Sequence, residues 1–399
     1  MEYIGLYIHI PFCLHRCGYC DFSTFAGLDG LIPAYSEAVC REIELLSSTA
    51  PERLHIGSIY FGGGTPSLIS ADVLGKILTT LDENFQLDHC TEISLEANPG
   101  TVSATYMGAL RALNVNRLSL GMQSANQDEL SLLERQHSFD DVVKAVEWSR
   151  VAGIMNLNLD LIFGLPRQGM DSWNTSLEAA MALKPEHLSL YALTLEAGTP
   201  LQHKVESGLV PEPDPDQAAD MYEYASERLA EAGYIQYEIS NWARRGIDNE
   251  ILSCKHNLQY WRNLPYLGIG AGAHGFIVNK RTVNVSSPGS YIKRMKTALD
   301  RCVKNHTFPR TPATVQILPI DVEAEIGETM MMGLRLVMEG VSDKDFQKRF
   351  RMSLRTRYGS KIESLISRRL LEWSGEANDT LRLTRRGRLL GNQVFMEFI

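Results

Sequence analysis

GLYIHIPFCLHRCGYCDF, residues Gly5 to Phe22, decides how the rest of the chain is read. An apolar run (Tyr7, Ile8, Ile10, Phe12) ends in three cysteines, Cys13, Cys17 and Cys20, spaced C-x3-C-x2-C. Three thiols this close can curl round one metal centre, and soft thiolates select zinc, copper(I) or an iron–sulfur cluster. A structural zinc wants four ligands, and no second C-x2-C or H-x3-H pair follows within the next fifty residues. A zinc knuckle would have to recruit His9, His15 or Asp21, and thiols buried without metal are the other plain alternative. A cubane held by three cysteines keeps one iron without a protein ligand, and that open iron is a place for chemistry.

Composition narrows the setting. The chain has 399 residues, too many for one small core, so a large domain with an appendage is expected. No run approaches the roughly 18 apolar residues of a membrane span. The opening MEYIGLYIHIPF has neither a basic n-region nor a small-residue cleavage site, which leads to the expectation of a cytoplasmic protein. Besides the loop, Cys40, Cys90, Cys254 and Cys302 are scattered, which argues against a disulfide framework. The net charge is −9, but Lys344 to Arg388 holds 13 basic and 5 acidic residues, a net +8 that leaves −17 on the remainder. The end of the chain therefore reads as a separate module.

Downstream, strand-like runs at Ile56–Phe61, Glu92–Ala97, Arg117–Met122, Asn156–Phe163 and His187–Leu193 alternate with helical stretches. With the first strand they make six β/α repeats. This spacing predicts an α/β fold in which a parallel sheet curls into a partial (β/α)6 TIM-like barrel with its chemistry at the C-terminal strand ends. The second strand runs into Gly62-Gly63-Gly64-Thr65-Pro66, whose bare backbone lets a ligand approach closely.

The C-x3-C-x2-C loop, with Tyr19 just before its last cysteine, resembles the radical S-adenosylmethionine (SAM) superfamily, and Tyr7-Ile8-His9-Ile10-Pro11-Phe12-Cys13 is similar to the HemN-like coproporphyrinogen dehydrogenase group. The resemblance implies a [4Fe-4S] cluster on Cys13, Cys17 and Cys20, with SAM on the open iron. It also implies SAM contacts, or contacts to a second SAM, at Tyr7, Tyr19, Gly63, Gly64, Thr65, Glu96, Gln123, Arg135 and Asp160. His256-Asn257-x-x-Tyr260-Trp261 resembles the HNxxYW motif of the HemW subgroup and of some related radical SAM methyltransferases, which implies a heme or substrate site there. A packed core histidine with Tyr260 and Trp261 filling space is the plainer reading of the same residues. The glycine-rich Leu267–Phe276 reads, by resemblance, as backbone closing over the cofactor.

The expected division is 1–240 for the barrel, 241–315 for an extension carrying HNxxYW, and 316–399 for a small winged-helix-like C-terminal domain. Met330-Met331-Met332 reads as core rather than as heme ligands. True coproporphyrinogen dehydrogenases carry a further cysteine two residues after the third ligand, where this chain has Phe22. That moves the reading towards the HemW family of heme chaperones. The partners implied are heme as cargo, heme-acceptor proteins and an electron donor for the cluster. The basic tail adds peripheral membrane contact, and a homodimer is left open. The enzyme alternatives are an oxygen-independent coproporphyrinogen III oxidase, a radical SAM methyltransferase or a heme-modifying enzyme. Nucleic acid is not an expected partner, because the barrel is acidic and no recognition helix stands out.

Overall fold

The computed structural model describes residues 3–297 and 307–399, so Cys302 lies outside the described residues. Two compact units emerge, Met1–Ala225 with Pro265–Leu318 and Ser226–Leu264 with Pro319–Ile399. Compactness thus divides the chain differently from the expected cuts near 240 and 315. The HNxxYW stretch groups with the C-terminal residues, and the glycine-rich stretch after it groups with the barrel.

In the first unit, six strands run parallel and neighbour one another in sequence order: Ile4–Ile10, His55–Gly63, Gln86–Ala97, Arg117–Gln123, Asn156–Phe163 and His187–Ala192. Helices such as Ile32–Thr49, Ala71–Asn84 and Phe139–Ala152 make the crossovers that parallel pairing requires. Their starts are set locally. Ser70 and Ser103 cap two of them, Ser138 and Asp141 form a capping box, and Gly153 ends that helix in the left-handed conformation. Strands covered on both faces are nearly continuous in apolar residues, and Leu118, Leu120, Leu157, Leu159 and Leu188 are fully buried.

The glycine-rich run is built into the sheet. Tyr266–Ile269 is a seventh parallel strand on the other side of the first, and antiparallel His274–Ile277 and Lys280–Asn284 follow it. Its glycines make room for close backbone: a Cβ on Gly268 would sit 1.9 Å from the His274 carbonyl oxygen. Glu42, fully buried on the Ile32–Thr49 helix, fastens this region. Its carboxylate accepts from the Gly270 N–H, Asn284 Nδ2, and the Tyr291 and Thr311 hydroxyls at 2.7–2.9 Å.

The second unit holds helices Val322–Gly333, Asp343–Phe350 and Leu354–Ser367, then a small antiparallel sheet of Val341–Ser342, Thr380–Leu383 and Leu371–Ser374. This is the winged-helix-like arrangement that was expected. Met330 is in its core with Ile326, Phe346, Leu354 and Ile362. Much of the basic excess is answered internally: Arg349 pairs with Glu325 at 2.6 Å, Arg382 with Glu372 at 2.7 Å, Arg385 with Glu227 at 2.6 Å, and Arg357 with Glu323. Among the described residues no helix is long and apolar enough to cross a membrane.

Candidate functional site

The cysteine loop is closed at its root. Phe12–Cys13 pairs in parallel with Phe25–Ala26, and the Phe25 N–H donates to the Pro11 carbonyl at 2.7 Å. Cys13, Cys17 and Cys20 are half-buried free thiols. The Thr65 hydroxyl faces Cys13 Sγ at 3.6 Å. Arg135 Nη1 points at Cys17 Sγ at 3.5 Å while its Nη2 donates to the Gly121 carbonyl at 3.0 Å. Burial pushes the Cys13 and Cys20 thiols up, and the buried Thr24 hydroxyl beside them works against this at both.

N–H and O–H donors aimed at sulfur fit a centre held by thiolates, whose sulfurs accept hydrogen bonds. Arg135 Nε is buried with no partner. Among the described residues no three His, Cys, Asp or Glu side chains converge on a single ion. Two of the three side chains that could complete a zinc site are engaged elsewhere: His15 pairs with Glu134 at 3.4 Å, and the His9 ring bonds the Tyr7 hydroxyl and the Ser23 carbonyl, while Asp21 is exposed.

Beside the loop, the second strand ends in the glycine run. The Gly64 and Thr65 N–H groups donate to the Ile10 and Phe12 carbonyls at 2.8 Å, which sews this ledge to the cysteine loop. A side chain on Gly64 would stand 2.6 Å from the Phe12 oxygen. Glu96 lies next along the rim, accepting from the Gly63 N–H at 3.1 Å and from the Tyr60 hydroxyl at 2.8 Å. Its carboxyl is pushed up to about 7, mainly by burial, with Asp160 adding to the effect and Tyr60, Gly63 and Arg117 opposing it. Asp160 is held by the Ser119 hydroxyl at 2.9 Å and Asn158 Nδ2 at 2.7 Å, and burial raises its carboxyl too.

Tyr7 stacks on Tyr60 with ring centroids 6.3 Å apart. Tyr19, its phenol pushed up by burial, shares a charged neighbourhood with Arg135, Cys17, Cys20 and Asp160. Gln123 takes φ 65° where the register breaks between Leu120 and Gln123, a bulge that re-aims its side chain next to Arg135 over Gly121. Thr65, Arg135 and Tyr19 thus neighbour the cysteines directly, and Asp160, Glu96, Gly63, Gly64, Tyr7 and Gln123 connect to them through one another. Sequence reasoning missed Tyr60, Thr24 and Arg117. For Tyr60 the signal was there, two residues before Gly62 on the same strand face.

His256, Asn257, Tyr260 and Trp261 lie in the second unit on the short helix Lys255–Trp261. His256 is buried, with Nε2 2.9 Å from the Tyr260 hydroxyl. Asn257 is half-buried, and the Arg335 guanidinium stacks 4.4 Å over the Trp261 ring. Arg262 binds Glu339, and Arg349 donates to the Asn263 carbonyl at 2.9 Å, so the motif is built into the C-terminal module.

The Radical SAM superfamily profile matches residues 7–180, and that of the HemN C-terminal domain matches residues 320–390. Over 395 residues the chain is 36% identical to the heme chaperone HemW of Lactococcus lactis, covering 98% of this chain and 96% of that protein. The chain belongs to the HemW family. The heme chaperone HemW of Bacillus subtilis is also 36% identical over 395 residues, covering 98% of each chain. Among solved structures, coproporphyrinogen III oxidase (HemN) from Escherichia coli, a radical SAM enzyme, matches with a TM-score of 0.81 at 22% identity, over 99% of this chain and 90% of that one. That likeness shows a shared fold.

Proposed function

We propose that this chain is a heme chaperone that binds heme and passes it to acceptor proteins, and that it carries a [4Fe-4S] cluster on Cys13, Cys17 and Cys20 with SAM beside it. The observation that carries the cluster is the set of donors turned on the thiols: Arg135 on Cys17 and Thr65 on Cys13, with Thr24 by Cys13 and Cys20. The heme reading is supported by the name of the near-full-length relatives.

Bound there, the cluster supplies an open iron for SAM and a route for an electron from a donor protein. The protein's residues do the holding. The Gly63–Thr65 ledge presents backbone to the ligand, and ionised Glu96 accepts from ribose hydroxyls. Arg135 balances thiolate charge, while Gln123 and Asp160 line the rim. Heme is assigned to the HNxxYW helix, where iron ligation by His256 Nε2 would first break its bond to Tyr260.

An oxidase on the same scaffold is the second reading. Phe22 weighs against it, standing 64% exposed where the oxidases carry a further cysteine. The test is an anaerobic assay of cluster-reconstituted protein with SAM, reductant and either coproporphyrinogen III or heme. Stoichiometric heme binding with coproporphyrinogen untouched is expected. Protoporphyrinogen formed with turnover would overturn the chaperone reading.

A further inference from the structure

His9 joins three stretches that look separate in sequence: the cysteine loop, the glycine ledge and the Leu267–Phe276 strands. It shares one face of the first strand with Tyr7. Its Nε2 lies 2.9 Å from the Ser23 carbonyl, which bridges the strand before Cys13 to the chain three residues after Cys20. Its Nδ1 lies 3.0 Å from the Tyr7 hydroxyl. The surrounding backbone is shaped to the residue. Gly63 has φ +115°, and a Cβ there would stand 2.4 Å from the His9 ring. A Cβ on Gly270, at φ +103°, would lie 2.7 Å from the His9 carbonyl oxygen. That same oxygen accepts from the buried Tyr35 hydroxyl at 2.8 Å, and Tyr35 in turn accepts from the Ala271 N–H.

Hydrogen-bond chemistry then fixes the ring. A carbonyl only accepts, so Nε2 carries the hydrogen that bonds Ser23. In the neutral imidazole Nδ1 is then an acceptor, and the Tyr7 phenol donates to it. Burial keeps the ring neutral. The direction of the Tyr7 O–H, a residue on the ligand side of the barrel, follows from a bond made on the far side of the ring.

We propose that His9 is a positioning residue: through a fixed Nε2–H tautomer it closes the neck of the cysteine loop and aims the Tyr7 hydroxyl. The toward-cofactor part of this rests on the cluster reading above; the tautomer does not. The two bonds can be cut separately in the full-length chain. His9→Gln places an amide N–H where Nε2 was and keeps the bond to Ser23, whereas His9→Leu keeps bulk and loses both bonds.

Three readouts test it. Selective 15N-histidine labelling, with the His9→Gln protein to assign the signal, is expected to show the His9 ring protonated on Nε2. In reconstituted protein, His9→Leu is expected to lose cluster iron and sulfide under air about five times faster than the parent, the order expected for one lost hydrogen bond, and His9→Gln is expected to restore the parent rate. SAM binding, read by equilibrium dialysis and by the SAM-induced change in the reduced cluster's EPR signal, is expected to weaken in both variants, since both lose the acceptor for Tyr7. A Nδ1–H ring, or a His9→Leu protein matching the parent in cluster lifetime and SAM affinity, overturns the proposal. If the parent holds no iron and sulfide while the Nε2–H tautomer is found, the cluster reading fails and His9 keeps only its part in closing the loop.

Discussion

Glu96 makes the binding of SAM depend on pH in a direction the structure fixes. Its carboxyl is pushed up to about 7 in the ligand-free protein, chiefly by burial, and the groups facing it are Tyr60, the Gly63 N–H, Asp160, Arg117 and Tyr7. To accept from ribose hydroxyls it must be ionised. With a pKa near 7 it is about a tenth ionised at pH 6 and about nine-tenths at pH 8, so SAM affinity is expected to rise about tenfold over that interval. The effect on stability runs the other way. A carboxyl whose folded pKa is raised gives its full stability below the unfolded value and loses it as pH rises through the folded value. Between about pH 4.5 and 7 the ligand-free chain is thus expected to lose up to about 3 kcal/mol. Equilibrium dialysis of SAM at pH 6, 7 and 8 measures the first effect, with Glu96→Gln as reference. The variant is expected to bind weakly and with a flat profile. A flat profile in the parent, or the same slope in Glu96→Gln, would refute the assignment.

Three further outcomes are expected. Serine in place of Cys13, Cys17 or Cys20 should each abolish the brown chromophore, and unchanged iron and sulfide in any of them would sink the cluster. Arg135→Gln removes the donor to Cys17 and should speed cluster loss by roughly tenfold to a hundredfold, from about 1.5–3 kcal/mol for a hydrogen bond to a charged group. Arg135→Lys should not rescue it, because one ammonium cannot reach both Cys17 Sγ and the Gly121 carbonyl. Glu42→Ala removes the shared acceptor of four buried donors at once and should cost about 3 kcal/mol, read as a lowered melting temperature, with Glu42→Gln milder. A melting temperature equal to the parent's would show that the cluster of donors does not hold the Gly270 turn.

The barrel was legible because its signals are local. Asn156–Phe163 reads as a strand from its apolar run and is one with the same bounds. Ser70 marks the helix start that it caps. What stayed hidden depended on pairing across the chain. The third strand begins at Gln86, six residues before its apolar part, because Gln86-Leu87 pairs with His55-Ile56. Tyr266–Ile269 has too many neighbouring glycines to look like a strand, and its partner is some 260 residues away in the first strand. The basic tail looked unmatched because Glu323 and Glu325, which answer Arg357 and Arg349, lie before the segment whose charge was counted. At the site, cysteines and glycines announce themselves by spacing. Gln123 owes its aim to a bulge, and His9 to a tautomer, and neither leaves a mark in the order of residues.

The most direct measurement loads the purified, cluster-reconstituted protein with one heme, mixes it with an apo-heme protein, and follows the Soret band of each after separation. The account predicts that heme leaves this chain for the acceptor faster than free heme dissociation allows, with no change in the porphyrin. Heme that does not bind, or that moves only at the rate of its spontaneous release, would contradict it.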